Sequence, residues 1–214
     1  MAERWATFDC YGTLIDWNGG VRRELARVFG EERADELLVR YHELEAELEA
    51  DGSRSYAGVL TEAMRRLGAP PGEEPALARS LPSWEPFPEV SAALGEVRER
   101  GWRLAVLSNT DPDFLEASLA RIGVPVELTV VASEIGSYKP AHRHWERFFA
   151  ETGAERPRHV HVAASLFHDV APARDLGLTS VWINRLGERA EPEPTRELPD
   201  LTRLPETLDE LVPA

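Results

Sequence analysis

Apolar residues recur along this 214-residue chain with two different periods. From Trp17 to about Leu81 the period is helical. Val21, Leu25, Val28 and Phe29 share one face. Leu37, Leu38, Tyr41, Leu44 and Leu48 share another, and Tyr56, Val59, Leu60, Ala63, Met64 and Leu67 a third. Gly68-Ala69-Pro70-Pro71-Gly72 stops the third stripe, and a short helix near 76–81 follows. Such stripes are what core packing requires, and most of their positions need no other explanation.

After Pro82-Ser83-Trp84-Glu85-Pro86-Phe87-Pro88 the pattern alternates. Val90, Ala93, Leu94 and Val97 mark a helix that Gly101 ends. Strands are predicted at 102–107, 126–131, 159–163 and 179–183, with helices at 112–122, 140–152 and 170–176 between them. Alternation of this kind predicts a Rossmann-like α/β fold, a parallel sheet with helices on both faces. The apolar run at 4–9 supplies its first strand. Residues 1–15 and 82–214 then form the core, and 16–81 a small all-helical cap inserted after the first strand. Asn18-Gly19-Gly20 and 84–88 are the expected hinges. The Pro- and charge-rich stretch at 191–199 reads as a surface loop before a short closing helix.

Charge narrows the partners. With 24 Lys and Arg against 38 Asp and Glu, formal net charge is −14. Nucleic acid and anionic membranes are excluded as expected partners, and any anion site must be made locally positive. The single cysteine, Cys10, rules out an intrachain disulfide. No apolar run is long enough to span a membrane and no signal-peptide pattern is present, so a cytoplasmic protein is expected. The absence of Gln and the richness in Arg, Glu and Pro suit a thermophile or a high-GC genome without separating the two.

Candidate chemistry lies at strand ends. Asp9 closes the first strand just before a Tyr-Gly turn, at the edge of an α/β sheet where ligands bind. A carboxylate there serves as a nucleophile, a base or a metal ligand; a turn aspartate capping local N–H groups is the plainer alternative. Lys139 is the only lysine in the chain. Lysine is a compact point charge where arginine is a planar fork, so its retention suggests neutralisation of carboxylate oxygens at close range. Pro140 is expected in the first turn of a helix, with Lys139 just before it. Ser108 and Asn109 end a strand, with Asp111 as the cap of a helix that Pro112 opens. Asp169 follows the fourth strand, with an N-cap as its plainer role. His159 and His161 are placed at a strand start far from the site, and metal binding by histidines is not expected.

Four segments in order resemble the haloacid dehalogenase superfamily: Asp9-Cys10-Tyr11-Gly12-Thr13-Leu14, the strand ending Ser108-Asn109, Ser137-Tyr138-Lys139-Pro140, and Val162 to Asp169. Val181-Trp182-Ile183-Asn184-Arg185 resembles the type II 2-haloacid dehalogenase branch in particular. The resemblance implies catalytic roles for Asp9, Lys139, Asp169 and Ser108. It implies substrate contacts for Tyr11, Thr13, Asn109 and Ser165. A small anionic substrate is implied, attacked by Asp9 to give an ester that water then hydrolyses; no cofactor is implied, and a homodimer is compatible with the chain. Phosphatases of the superfamily carry an acid where this chain has Tyr11, and another where it has Ala164. Magnesium is therefore expected only if the chain is instead a phosphate-monoester hydrolase with a reduced metal site. A non-catalytic ligand-binding relative is the other alternative; a carbon–phosphorus hydrolase with a cap lysine is excluded, because the insert has no lysine. The branch also resembles itself in a cap arginine that grips the halide. Counting back from Tyr56 puts Glu47 near that place, with Arg40 and Arg54 close by, and Ala164 and Leu166 stand where the branch has Ser and Asn.

Overall fold

The computed structural model describes residues 3–50 and 52–214. Residues 1, 2 and 51, which the expected core and insert include, lie outside them. Six parallel strands form one sheet: β1 (Arg4–Phe8), β2 (Trp102–Ser108), β3 (Leu128–Val131), β4 (His159–Ala163), β5 (Thr179–Ile183) and β6 (Arg196–Leu198), in the order β3-β2-β1-β4-β5-β6. The strand order reverses between β1 and β4, and the crevice beyond their carboxyl ends is where an open α/β sheet receives a ligand.

Strand periodicity divides the residues between the two faces. Ala6, Phe8, Leu104, Val106, Val160 and Val162 join the core packed under α5 (Val90–Glu99) and α6 (Pro112–Ile122). Trp5, Ala105 and Leu107 pack instead with Trp145 and Phe148 of α8 (Arg143–Thr152). Thr7, His159 and His161 point to this second face and are fully buried there. The ring of His161 packs edge-on against Trp145, 5.2 Å between centroids.

Between β1 and β2 the described chain is helical: α1 (Trp17–Phe29), α2 (Ala34–Glu49), α3 (Tyr56–Arg66) and α4 (Ala76–Ser80), joined by short turns. Their apolar stripes face one another, and the cluster of Val21, Leu25, Tyr41, Leu60 and Met64 runs without a break into the core on the α5 side of the sheet. The two crossing segments pair: Asp16 N donates to Glu85 O (2.9 Å) and Phe87 N to Leu14 O (3.0 Å).

Several expectations are corrected here. Gly19 and Gly20 are not a loop hinge but the first turn of α1, capped by Asp16, whose side chain accepts from Gly19 N. A Cβ on Gly20 would lie 2.3 Å from the Trp84 ring, so the glycine permits close packing. Pro140 is not in a first helical turn. Ala141 N bonds Tyr138 O (3.1 Å), closing a turn at 138–141, and α8 begins only at Arg143. Asp169 is not an N-cap: it lies inside a wide turn, Leu166–Val170, whose capping side chain is Ser165, accepting from His168 N at 3.0 Å. α9 (Ala171–Asp175) follows that turn. The stretch at 191–199 contains β6, three mostly exposed residues that carry no apolar alternation; α7 (Ala132–Ile135) was also unexpected, and α10 (Leu204–Leu211) closes the chain.

Candidate active site

Asp9 follows the last residue of β1 and is held from several sides. Its N–H donates to Val162 O (3.1 Å), continuing the β1–β4 ladder. Gly12, at φ +87°, turns the chain through a conformation that other residues rarely adopt. The turn brings Thr13 Oγ1 to 2.9 Å from Asp9 Oδ2, and the same hydroxyl accepts from Ala164 N at 2.9 Å. Thr13 is fully buried and does not line the cleft. Its hydroxyl is turned to Asp9 and not to the cleft where a substrate contact was expected.

Lys139 is 2% exposed. Its ammonium donates to Asp9 Oδ1 (2.8 Å), Asp169 Oδ1 (2.6 Å) and Leu107 O (3.0 Å), which uses all three of its protons. Asn109 fixes the lysine's backbone from both sides. Its Oδ1 accepts from Lys139 N (2.6 Å) and its Nδ2 donates to Lys139 O (3.1 Å). Asn109 lines the cleft, and its amide also shapes the lysine loop and donates to Glu49 Oε2 at 3.1 Å. Ser165 lines the cleft, but its hydroxyl caps the following turn and lies 3.2 Å from His168 Nδ1. Tyr11 lines the cleft with its ring, 6.1 Å from and nearly parallel to Tyr56, while its hydroxyl meets Ser118 Oγ at 3.1 Å. Ser108 Oγ is buried without a hydrogen-bond partner at the cleft wall.

Burial raises Asp9 above the ordinary carboxylate range, against the opposing pull of the Lys139 ammonium. Burial presses Asp169 the same way, but there the ammonium and the His161 ring outweigh it and hold the carboxyl below its ordinary value. Lys139 is pushed up, because the two carboxylates outweigh its own burial. Asp169 is thus the fixed counter-ion, and Asp9 is the more basic of the two. His161 is a site residue that sequence reasoning placed too far away. Its Nε2 is 2.9 Å from Asp169 Oδ1, and its Nδ1 is 2.8 Å from Thr7 Oγ1, which is also 2.8 Å from His159 Nε2. The signal was the same-face spacing of the pair beside a central strand.

The cleft encloses about 510 Å³. Asp9, Ser108, Lys139 and Asp169 line it from the sheet side, and Trp17, His42, Glu45, Glu49 and Tyr56 from the helical side. Glu45 and Glu49, one turn apart on α2, were missed; they border the Leu37–Tyr41–Leu44–Leu48 stripe, which was the available signal. Glu45 Oε1 accepts from Tyr41 (2.8 Å) and Tyr56 (2.7 Å) hydroxyls. Burial pushes Glu45 up to about 7 despite those two bonds, and pushes Glu49 well above the ordinary range. Glu47 instead pairs with Arg66 on the surface at 2.7 Å, Arg40 pairs with Glu43, and neither Arg40 nor Arg54 lines the cleft.

The residues do not suit a magnesium ion. That ion needs a near-octahedral oxygen set, yet Asp9 and Asp169 are both bonded to one ammonium and positions 11 and 164 offer no carboxylate. Among the described residues no group of three or more His, Cys, Asp or Glu is arranged to hold a metal. No described helix is long and apolar enough to cross a membrane.

A family model of haloacid dehalogenase-like hydrolases matches residues 4–177. The chain belongs to the haloacid dehalogenase-like hydrolases. The (S)-2-haloacid dehalogenase 4A of Burkholderia cepacia is 27% identical to this hydrolase over 201 residues, 89% of this chain and 87% of the relative. A phosphoserine phosphatase of Thermus thermophilus is 31% identical over 146 residues, 65% of this chain and 59% of that one. Among solved structures, an L-2-haloacid dehalogenase superposes with a TM-score of 0.87 at 24% identity, covering 98% of this chain and 100% of its own, a likeness of fold.

Proposed function

We propose that this hydrolase cleaves a carbon–halogen bond of short 2-haloalkanoic acids, with Asp9 as nucleophile. The observation that carries the reading is the Lys139 ammonium held between Asp9 and Asp169, with Tyr11 and Ala164 where a second and third acid would serve a phosphatase. A carboxylate oxygen of Asp9 attacks C2 while the carbon–halogen bond breaks, and the electron pair leaves with the halide. Water then attacks the carbonyl carbon of the resulting ester, which releases the 2-hydroxy acid and restores Asp9. Halide needs no proton to depart, so an acid at position 11 is dispensable. Raised basicity makes Asp9 the better nucleophile of the pair. Ser108 Oγ, buried and unpartnered, is free to donate to the substrate carboxylate. Thr13 and Asn109 act as positioning residues. Residues 16–81 act as a cap whose side chains exclude water from Asp9.

The test is halide release from a panel of 2-haloalkanoic acids, with and without EDTA, beside an aryl phosphate. A single turnover in heavy-oxygen water follows, with mass analysis of the peptide containing Asp9. Halide release indifferent to EDTA and one heavy oxygen in Asp9 are expected. Activity on the phosphate that EDTA abolishes and magnesium restores would replace this reading with the phosphate-monoester hydrolase.

A further inference from the structure

In-line displacement by Asp9 sends the leaving group away from the sheet edge, toward the helical wall of the cleft. That wall offers an anion no lysine or arginine. The two permanent cations that line the cleft are on the sheet side: Lys139, bonded to Asp9 and Asp169, and Arg185, whose Nη2 bonds Glu89 (2.7 Å) and Thr13 O (2.8 Å) while its Nε is buried without a partner. What α2 presents instead is His42, whose Nε2 is 3.1 Å from Asn18 Oδ1, and two acids, Glu45 and Glu49. As carboxylates they would repel a departing halide; as carboxylic acids they would donate to it.

Glu49 is the better placed. It is 7% exposed, and one of its oxygens, Oε2, accepts from Asn109 Nδ2, the amide that also clamps Lys139. The other oxygen remains to carry a proton. The groups around it favour keeping that proton. Burial is the largest influence, and Glu45 of the same helix and Asp9 beyond β1 add like charge. The Asn109 amide bonded to Oε2 acts against them, and so does Lys139, whose three protons are committed elsewhere. His168 Nε2, 3.9 Å from Oε2, is itself held below its ordinary value by burial and so brings no charge at neutral pH. Asp169 is neutralised by Lys139, and the Tyr56 and Tyr138 hydroxyls are pushed upward, so they stay protonated.

We propose that Glu49 is the leaving-group donor of this site: a carboxyl group on α2, buried at the cleft wall and bonded to the Asn109 amide, that gives a hydrogen bond to the halide displaced by Asp9. The proton stays on Glu49, the electron pair goes with the halide, and no other reactant is needed. The proposal rests on the carbon–halogen reading and adds to it the residue that receives the product anion. Its sign with pH is opposite to that of a nucleophile: activity is present while Glu49 holds its proton and falls as pH rises through its pKa.

Three variants of the full chain test it, assayed by chloride and bromide release from 2-chloro- and 2-bromopropionate across pH. Glu49→Gln keeps the shape and a donor but cannot ionise; it is expected to stay within about threefold of the parent and to lose the alkaline limb of kcat. Glu49→Leu removes the donor and is expected to fall by about a hundredfold, as removal of one preorganised donor does, with chloride hurt more than bromide. Glu45→Gln is expected to keep the alkaline limb. If Glu49→Gln is as inactive as Glu49→Leu, or retains the limb, Glu49 does not act as a neutral donor and the inference falls while the carbon–halogen reading stands. If the parent releases no halide from either acid, both fall.

Discussion

Lys139 concentrates the chemistry of the site in one side chain. Three donors meet three acceptors, Asp9, Asp169 and the Leu107 carbonyl, at 2.6–3.0 Å. An ammonium on a flexible stem reaches this geometry; a planar guanidinium does not fit a point between three converging oxygens. Lys139→Arg is therefore expected to lose turnover by a thousandfold or more, roughly 4 kcal/mol at about 1.4 kcal/mol per tenfold, although the formal charge is kept. Steady-state halide release on the folded variant measures it, and near-parent activity would mean that a diffuse positive charge suffices. Asn109 shows the same economy of means: one amide reads both sides of the Lys139 peptide, a task for which its paired donor and acceptor are suited.

Between elements, the helical segment is fastened to the sheet side by Asp111. Position 111 precedes α6, yet its carboxylate does not cap that helix. It accepts instead from Tyr56 N and Ala57 N, both at 2.9 Å, and so caps the first turn of α3. Tyr138 adds a second tie, its hydroxyl donating to Arg54 O at 3.0 Å. Tyr56 of that helix lines the cleft, so the cap holds a wall of the site in place. Asp111→Ala is expected to cost about 0.5–2 kcal/mol, the range for a lost helix cap, and to expose the first amides of α3 to exchange while β1, β2 and β4 keep their protection. Hydrogen exchange with denaturant unfolding measures both, and unchanged protection at Tyr56 and Ala57 would sink the idea.

Over the whole molecule, charge opposes the substrate that the site is proposed to take. Net charge is −14, and the cleft is lined by Asp16 and Glu188 as well as the four carboxyls already described. A 2-haloalkanoate approaches against this field until it reaches Ser108 and the α2 wall, where burial favours the protonated forms of Glu45 and Glu49. Raising salt shortens the Debye length from about 30 Å at 0.01 M to about 8 Å at 0.15 M. kcat/KM for a 2-haloalkanoate is accordingly expected to rise over that range, and a fall would mean that the approach is steered by a local positive field instead.

The sequence by itself determined five of the six strands and most of the helices between them, because strand and helix periods are local properties written in successive residues. The strands at 159–163 and 179–183 and the helix at 112–122 stand where the pattern put them. Its four motifs, through their resemblance to a known superfamily, also named Asp9, Ser108, Lys139 and Asp169, which line one wall of the cleft. Only the tertiary structure decided what those residues touch. His161 reaches Asp169 across a turn, Asp111 caps a helix 55 residues away, and Thr13 turns inward to Asp9 rather than outward to substrate. Glu45 and Glu49 carry no signal of their own in the sequence, and folding brings them into the cleft with Asp9 and Lys139. β6 was invisible because a three-residue edge strand needs no apolar alternation; its partner supplies the ladder. Period is set by neighbours along the chain, whereas hydrogen-bond partners and proton affinities are set by neighbours in space.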